Sequence, residues 1–220
     1  MRRWILALAL LFVGCIGVPQ PEPPSLDPSG VVSAGARNAV FGFAVLPGSV
    51  EPAVGDLWVV GLDDTDDPQL LPVAPDGSVD NFELNSGNVR MQIRDGETRA
   101  RPVDLVRDAE TVRVAEPTLP CLEIPLEVEV GRVQVGRPVE LTFDLLNMCA
   151  EDVDVVGAMR RPGDITIVDM PSTVAAGSSA SARVQLTPSA VGLREEVLLV
   201  SHALPVAGRR AVTLFGTGLP

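Results

Sequence analysis

The second half of the chain runs on a two-residue rhythm. Val139, Leu141, Phe143 and Leu145 alternate with Glu140, Thr142 and Asp144. Successive side chains of a strand point to opposite faces, so this run has one apolar and one polar side. Leu126, Val128 and Val130 alternate with Glu127 and Glu129 in the same way. Ala182, Val184 and Leu186 alternate with Arg183, Gln185 and Thr187, and Val212 with Leu214 repeats the theme. Strands with a single apolar face must bury it against a second sheet, which predicts a sandwich.

The first half has shorter β-branched runs between Gly, Pro, Asp and Asn. Candidate strands cover residues 38–46, 57–62, 79–84, 89–94 and 103–107. The clearest puts Val89, Met91 and Ile93 on one face and Arg90, Gln92 and Arg94 on the other. Pro75-Asp76-Gly77-Ser78 predicts a tight hairpin turn, because Asp and Gly tolerate positive φ. No helical period is sustained here. The expected fold is all-β, with two Ig-like β-sandwich domains over residues 31–115 and 116–220.

The amino-terminal end reads differently. Met1-Arg2-Arg3 is followed by ten uncharged residues, Trp4 to Val13, the pattern of an export signal. Ten residues of helix span roughly 15 Å, about half of a ~30 Å hydrocarbon core, so a permanent membrane span is not expected. The sequence Leu11-Phe12-Val13-Gly14-Cys15 resembles the lipobox of bacterial lipoproteins, with Phe12 where that family usually has Leu. The resemblance implies cleavage after residue 14 and a diacylglycerol on the Cys15 thiol; an ordinary signal cut after Gly17 is the alternative. Ile16 is not the Asp that often retains such proteins at the inner membrane, so an outer-membrane address in the cell envelope is implied. Residues 15–30 carry Pro19, Pro21, Pro23, Pro24 and Pro28, which predicts an extended linker of up to ~40 Å.

The chain has 29 acidic and 17 basic residues, every basic one an Arg. Losing Arg2 and Arg3 with the signal takes the net charge from −12 to −14. Such a surface repels phosphate backbones, so no nucleic-acid partner is expected, and membrane contact is expected through the lipid alone. Tyr is absent, and Trp58 is the one Trp beyond the signal, which disfavours aromatic sugar-binding platforms.

Two further resemblances carry a fold expectation. Pro47-Gly48-Ser49, Asp76-Gly77-Ser78 and Arg94-Asp95-Gly96 loosely resemble a bacterial Ig-like repeat over residues 31–110. More specifically, Gly131, Val133, Val135 and Gly136, then Asn147, then Pro171 to Gly177, then Leu186, Pro188 and Gly192, then Gly216 and Gly218 resemble one repeat of the ASH or choice-of-anchor D family. Leu186 stands where that family usually has Phe. The resemblance spans about residues 121–220 and implies an Ig-like sandwich associated with protein binding.

Cys121 and Cys149 flank the start of the second domain. In an exported chain an even pair is expected to close as a disulfide, with two buried thiols as the alternative. Asp63-Asp64-Thr65-Asp66-Asp67 puts four carboxylates in five residues. Asp63, Asp64, Asp66 and Asp67 are candidate Ca²⁺ ligands, or else a solvated acidic tip with Arg99 and Arg101 as ion-pair partners. His202 is the single histidine, is expected in a surface turn, and has no Gly-x-Ser-x-Gly elbow to serve.

The expected protein is therefore a non-enzymatic, membrane-anchored structural or protein-docking module. It is expected to have a protein partner, no small-molecule substrate and no cofactor beyond the lipid on Cys15. A Ca²⁺-stabilised adhesion module and an envelope hydrolase are the alternatives.

Overall fold

A computed structural model describes residues 23–220 apart from residues 39, 109, 204 and 205. Cys15 and the signal lie outside the described residues. Among the described residues the regular structure is strand, apart from one 3₁₀ turn at Pro28–Gly30.

The first domain contains β1 (Ser25–Leu26), β2 (Val31–Arg37), β3 (Val40–Val45), β4 (Val50–Glu51), β5 (Asp56–Gly61), β6 (Gln69–Pro72), β7 (Val79–Leu84), β8 (Asn88–Asp95), β9 (Thr98–Arg99), β10 (Val103–Asp108) and β11 (Thr111–Val114). One sheet runs β11-β10-β8-β5-β6, with β9 on β8, and the facing sheet runs β2-β3-β7. Leu57, Val59, Val89, Met91, Ile93 and Leu105 of the first meet Phe43, Val45, Val79, Phe82 and Leu84 of the second. The Phe43 and Phe82 rings stack at 5.8 Å.

Two expectations change in this domain. The span read as linker through residue 30 is not all linker. Ser25–Leu26 pairs with Val50–Glu51, and Leu26 is buried in the core. Its apolar side chain among the prolines is what ties it down. The Asp76-Gly77 turn is present, with Asp76 accepting from the Ser78 amide at 3.1 Å and Gly77 donating to Ala74 at 2.8 Å. It carries the chain from one sheet to the other, because β6 pairs with β5 and β7 with β3. It is a crossover turn, not a hairpin.

The second domain contains β12 (Leu122–Glu123), β13 (Glu127–Gln134), β14 (Val139–Asn147), β15 (Val153–Met159), β16 (Ile165–Asp169), β17 (Thr173–Val174), β18 (Ser178–Leu186), β19 (Gly192–His202) and β20 (Gly208–Leu219). Its sheets run β12-β14-β18-β16 and β13-β20-β19-β15-β17. All pairs are antiparallel except β13 with β20, which are parallel with a bulge at Gly131. The alternating residues point as the pattern requires. Phe143, Leu145, Ala182, Val184 and Leu186 face Val128, Val130, Val212 and Leu214 across the core.

The motif residues have local causes. Asn147 is fully buried. Its amide donates to the carbonyls of Glu151 and Val174, and its carbonyl accepts from the Cys149 amide at 2.9 Å. That closes the turn after β14 by satisfying three backbone groups around it. Gly216 is required by close approach, since a Cβ there would stand 2.6 Å from the Gly131 carbonyl oxygen. Cys121 and Cys149 are disulfide-bonded, with Cα atoms 5.1 Å apart, as expected of the pair.

Candidate functional site

The polar face of β8 is where the sequence reading falls short. In a lone sandwich Arg90, Gln92 and Arg94 would face water; here Arg90 and Gln92 are fully buried. The outer face of the β11-β10-β8-β5-β6 sheet packs on the outer face of the β13-β20-β19-β15-β17 sheet. The two sandwiches share a seam.

The middle of the seam is apolar. Strand β5 alternates so that Leu57 and Val59 enter its own core, while Trp58 and Val60, with Leu62 just beyond the strand, pack with Val197, Leu199 and Ala211. This double burial explains why β5 reads as a continuous apolar run. Beside that cluster sits Arg90. Its Nε and Nη2 bind Asp104 at 2.6 and 2.8 Å. Its Nη1 donates to the Leu126 carbonyl at 2.9 Å and the Thr213 hydroxyl at 3.1 Å. Its Nη2 also donates to the Ala211 carbonyl at 2.5 Å. Five N–H donors meet five acceptors, and three of those acceptors belong to the other domain.

One end of the seam is the acidic turn. Asp63 accepts from Arg209 at 2.5 Å and from Asn88 at 2.5 Å. Burial raises the Asp63 pKa, but the hydrogen bonds from Arg209, Asn88 and Ser86 outweigh it and hold the carboxyl below its usual value. Arg160, 2 % exposed at its side chain, donates to the Asp64 carbonyl and carboxylate at 2.8 and 3.2 Å and to the Asp66 carbonyl at 2.6 Å. Arg161 pairs with Asp67 and Glu196, and Asn85 donates to Asp66 at 2.7 Å. The turn fits because residue 61 is glycine. A Cβ there would lie 2.1 Å from Oδ2 of Asp64.

The candidate Ca²⁺ ligands are thus already engaged by donors from the protein itself. Asp63, Asp64, Asp66 and Asp67 each face a different donor, and no three ligating side chains converge among the described residues. The predicted ion-pair partners change too. Arg99 lies at the opposite end of the seam, and Arg101 has no ion pair among the described residues. The arginines that hold the turn, Arg160, Arg161 and Arg209, come from the second domain. A signal for them existed: the doublets Arg160-Arg161 and Arg209-Arg210 are the basic counterpart of the Asp run.

The other end has the opposite polarity. Arg94 of β8 donates to Glu195 at 2.6 Å and stacks over Trp58 at 4.1 Å. Arg99 of β9 pairs with Glu127 and Glu195 and lies over Phe215 at 4.1 Å. Burial pulls the Arg94 pKa down to about 10, with Glu195 opposing that and Arg99 adding to it, so it stays charged at neutral pH. Gln92 completes the set by donating to Glu127 at 2.7 Å. The first domain thus offers acid at one end and base at the other, and the second domain offers the complement.

His202 is not in a surface turn. It ends β19, is 5 % exposed, and its Nε2 lies 3.4 Å from the hydroxyl of Thr118 in the connection between the domains. Its Nδ1 has no partner among the described residues.

No protein-family model matches the chain, and no curated protein does. Several solved structures are similar in outline. The ASH/PapD-like domain 7 of human CEP192 is 12% identical over 48% of this chain and 89% of that one, with a TM-score of 0.42. The VesB protease of Vibrio cholerae is 14% identical over 76% of this chain and 63% of its own, with a TM-score of 0.41. A Porphyromonas gingivalis W83 protein of unknown function is 13% identical over 89% of this chain and all of its own, with a TM-score of 0.38. These are likenesses of outline at low identity. The description of the chain as an all-β pair of Ig-like sandwiches rests on its own strand order.

Proposed function

We propose that this chain is a lipid-anchored, non-enzymatic module of the bacterial cell envelope that holds a partner protein or a structural contact at a fixed orientation. The observation that carries the reading is the seam. A guanidinium with all five donors satisfied, an apolar centre and complementary charged ends make two sandwiches behave as one body. A rigid body presents its surfaces in a fixed arrangement, which is what docking requires. The lipobox around Cys15 and the ASH or choice-of-anchor D resemblance of the second domain support the same reading, the latter by analogy of fold. An outer-membrane address follows from Ile16.

Two experiments test it. Cells expressing the chain are grown with labelled palmitate; label and membrane association should both vanish in Cys15→Ala. Undiminished labelling would remove the anchor. Cross-linking in intact envelopes, followed by pull-down of the wild type and of the Cys15→Ala form, should give one dominant partner with the anchored form. Recovery of no partner would argue against docking.

A further inference from the structure

Arg210, at the start of β20, is the exception in this charge arrangement. It is half-buried, yet its guanidinium has no hydrogen bond or ion pair among the described residues. The charges acting on it are one carboxylate, Asp104, and two cations, Arg90 and Arg101. Both oxygens of Asp104 are already taken by Arg90. Burial lowers the Arg210 pKa, Asp104 offsets part of that, and Arg90 and Arg101 add to it. A further anion would relieve a partly desolvated cation that shares one carboxylate with two other arginines.

Space for an anion is present. Three surface grooves, of about 440, 520 and 470 Å³, all include Arg210 in their walls. Arg101 lines two of them. The walls shared between neighbouring grooves are otherwise Pro117, Leu126, Ala115, Asp104 and Glu116. The grooves run along the connection between the domains, on the flank of the seam.

We propose that Arg210 and Arg101 form a binding site for a carboxylate monoanion at the flank of the interdomain seam. Two arginines within one groove can present a fork to each carboxylate oxygen. Carboxylates in the walls decide between anions. Glu116, Glu123 and Asp144 also line the grooves, so a dianionic phosphate meets more repulsion than a singly charged carboxylate. Apolar walls from Pro117, Pro120, Pro125 and Leu126 extend from the arginines and suit an uncharged remainder of the ligand. The carboxylate is that of a free organic acid or of a glutamate side chain in an extended peptide. This inference does not depend on the anchoring or docking role.

The test is calorimetric titration of the full chain with four probes: acetate, inorganic phosphate, a blocked peptide with a single central Glu, and the same peptide with Gln. The Glu peptide and acetate should compete for one site, and the Gln peptide should not bind. Arg210→Gln should weaken binding about tenfold or more, the loss of a charged hydrogen bond, and Arg101→Gln by less. The melting temperature of Arg210→Gln should not fall, because no internal pair is broken, and that keeps folding apart from binding. A Glu peptide tighter than acetate identifies a peptide source; equal affinities identify a free acid. Equal binding of the Gln peptide, binding unchanged in Arg210→Gln, no binding of any carboxylate, or displacement by phosphate at lower concentration than acetate would each overturn the proposal.

Discussion

Arg90 has five N–H donors, and the seam supplies five acceptors. Removing one member of such a buried set leaves the others desolvated and unpaired, which is where the energy lies. Arg90→Ala is expected to destabilise the chain by about 3–5 kcal/mol in denaturant unfolding. Arg90→Met with Asp104→Leu should recover part of that loss, since no lone buried charge remains. A loss under about 1 kcal/mol for Arg90→Ala would mean water reaches the Asp104 carboxylate. Asp63 gives a pH signature. Its folded pKa lies below the usual value, so its contribution is present above the unfolded value of ~3.9. It disappears as pH falls through the lower folded value. Asp63→Asn should therefore lower stability at neutral pH and flatten its fall in acid. Parallel pH profiles for the two proteins would contradict the pairing with Arg209. At this scale the sequence was half legible. The period of β8 placed Arg90 on the face away from the core, but periodicity cannot say what covers that face.

The acidic turn shows the same limit at the scale of the element. Four carboxylates in five residues predict a cation nearby, and that much is right. Composition alone does not distinguish a metal ion from arginines 94 to 146 residues away in sequence. The structure gives each carboxylate its own donor, so added Ca²⁺ should leave the melting temperature unchanged; a rise on titration would show that metal can displace the arginines. Within the clasp the arginines are unequal. Arg160 is 2 % exposed and tied to two backbone carbonyls, whereas Asp67 is 90 % exposed. Arg160→Ala should cost about 3 kcal/mol, and Asp67→Ala under about 1 kcal/mol. Equal losses would place the strength of the clasp in its exposed ion pairs. The elements of the second domain were far more legible. Strands β14 and β18 have one buried face each, so the alternation of Val139 to Leu145 maps directly onto the core. Strand β5 is buried on both faces, and its run of Leu57 to Leu62 reads as a strand without revealing that it faces two cores.

For the whole molecule, the division into two sandwiches could be read from the motifs, but their union could not. The partners lie at distances such as Arg90 to Thr213 and Arg94 to Glu195, and no local pattern encodes pairs so far apart. The disulfide was legible because an even cysteine pair, in a chain expected to be exported, points one way. Its 28-residue separation implies a contribution of roughly 3 kcal/mol in the loop-entropy model. Replacing both Cys121 and Cys149 by Ala should lower the denaturant midpoint accordingly, with no change in the seam. The first domain's early start also belongs here. Leu26 ties the end of the proline-rich segment into the first domain.

The central claim is that the two sandwiches move as one. Residual dipolar couplings of the weakly aligned full chain measure this directly. A single alignment tensor should fit the amides of both domains, and Arg90→Ala should split it into two. Separate tensors of different magnitude for the wild-type domains would contradict the account.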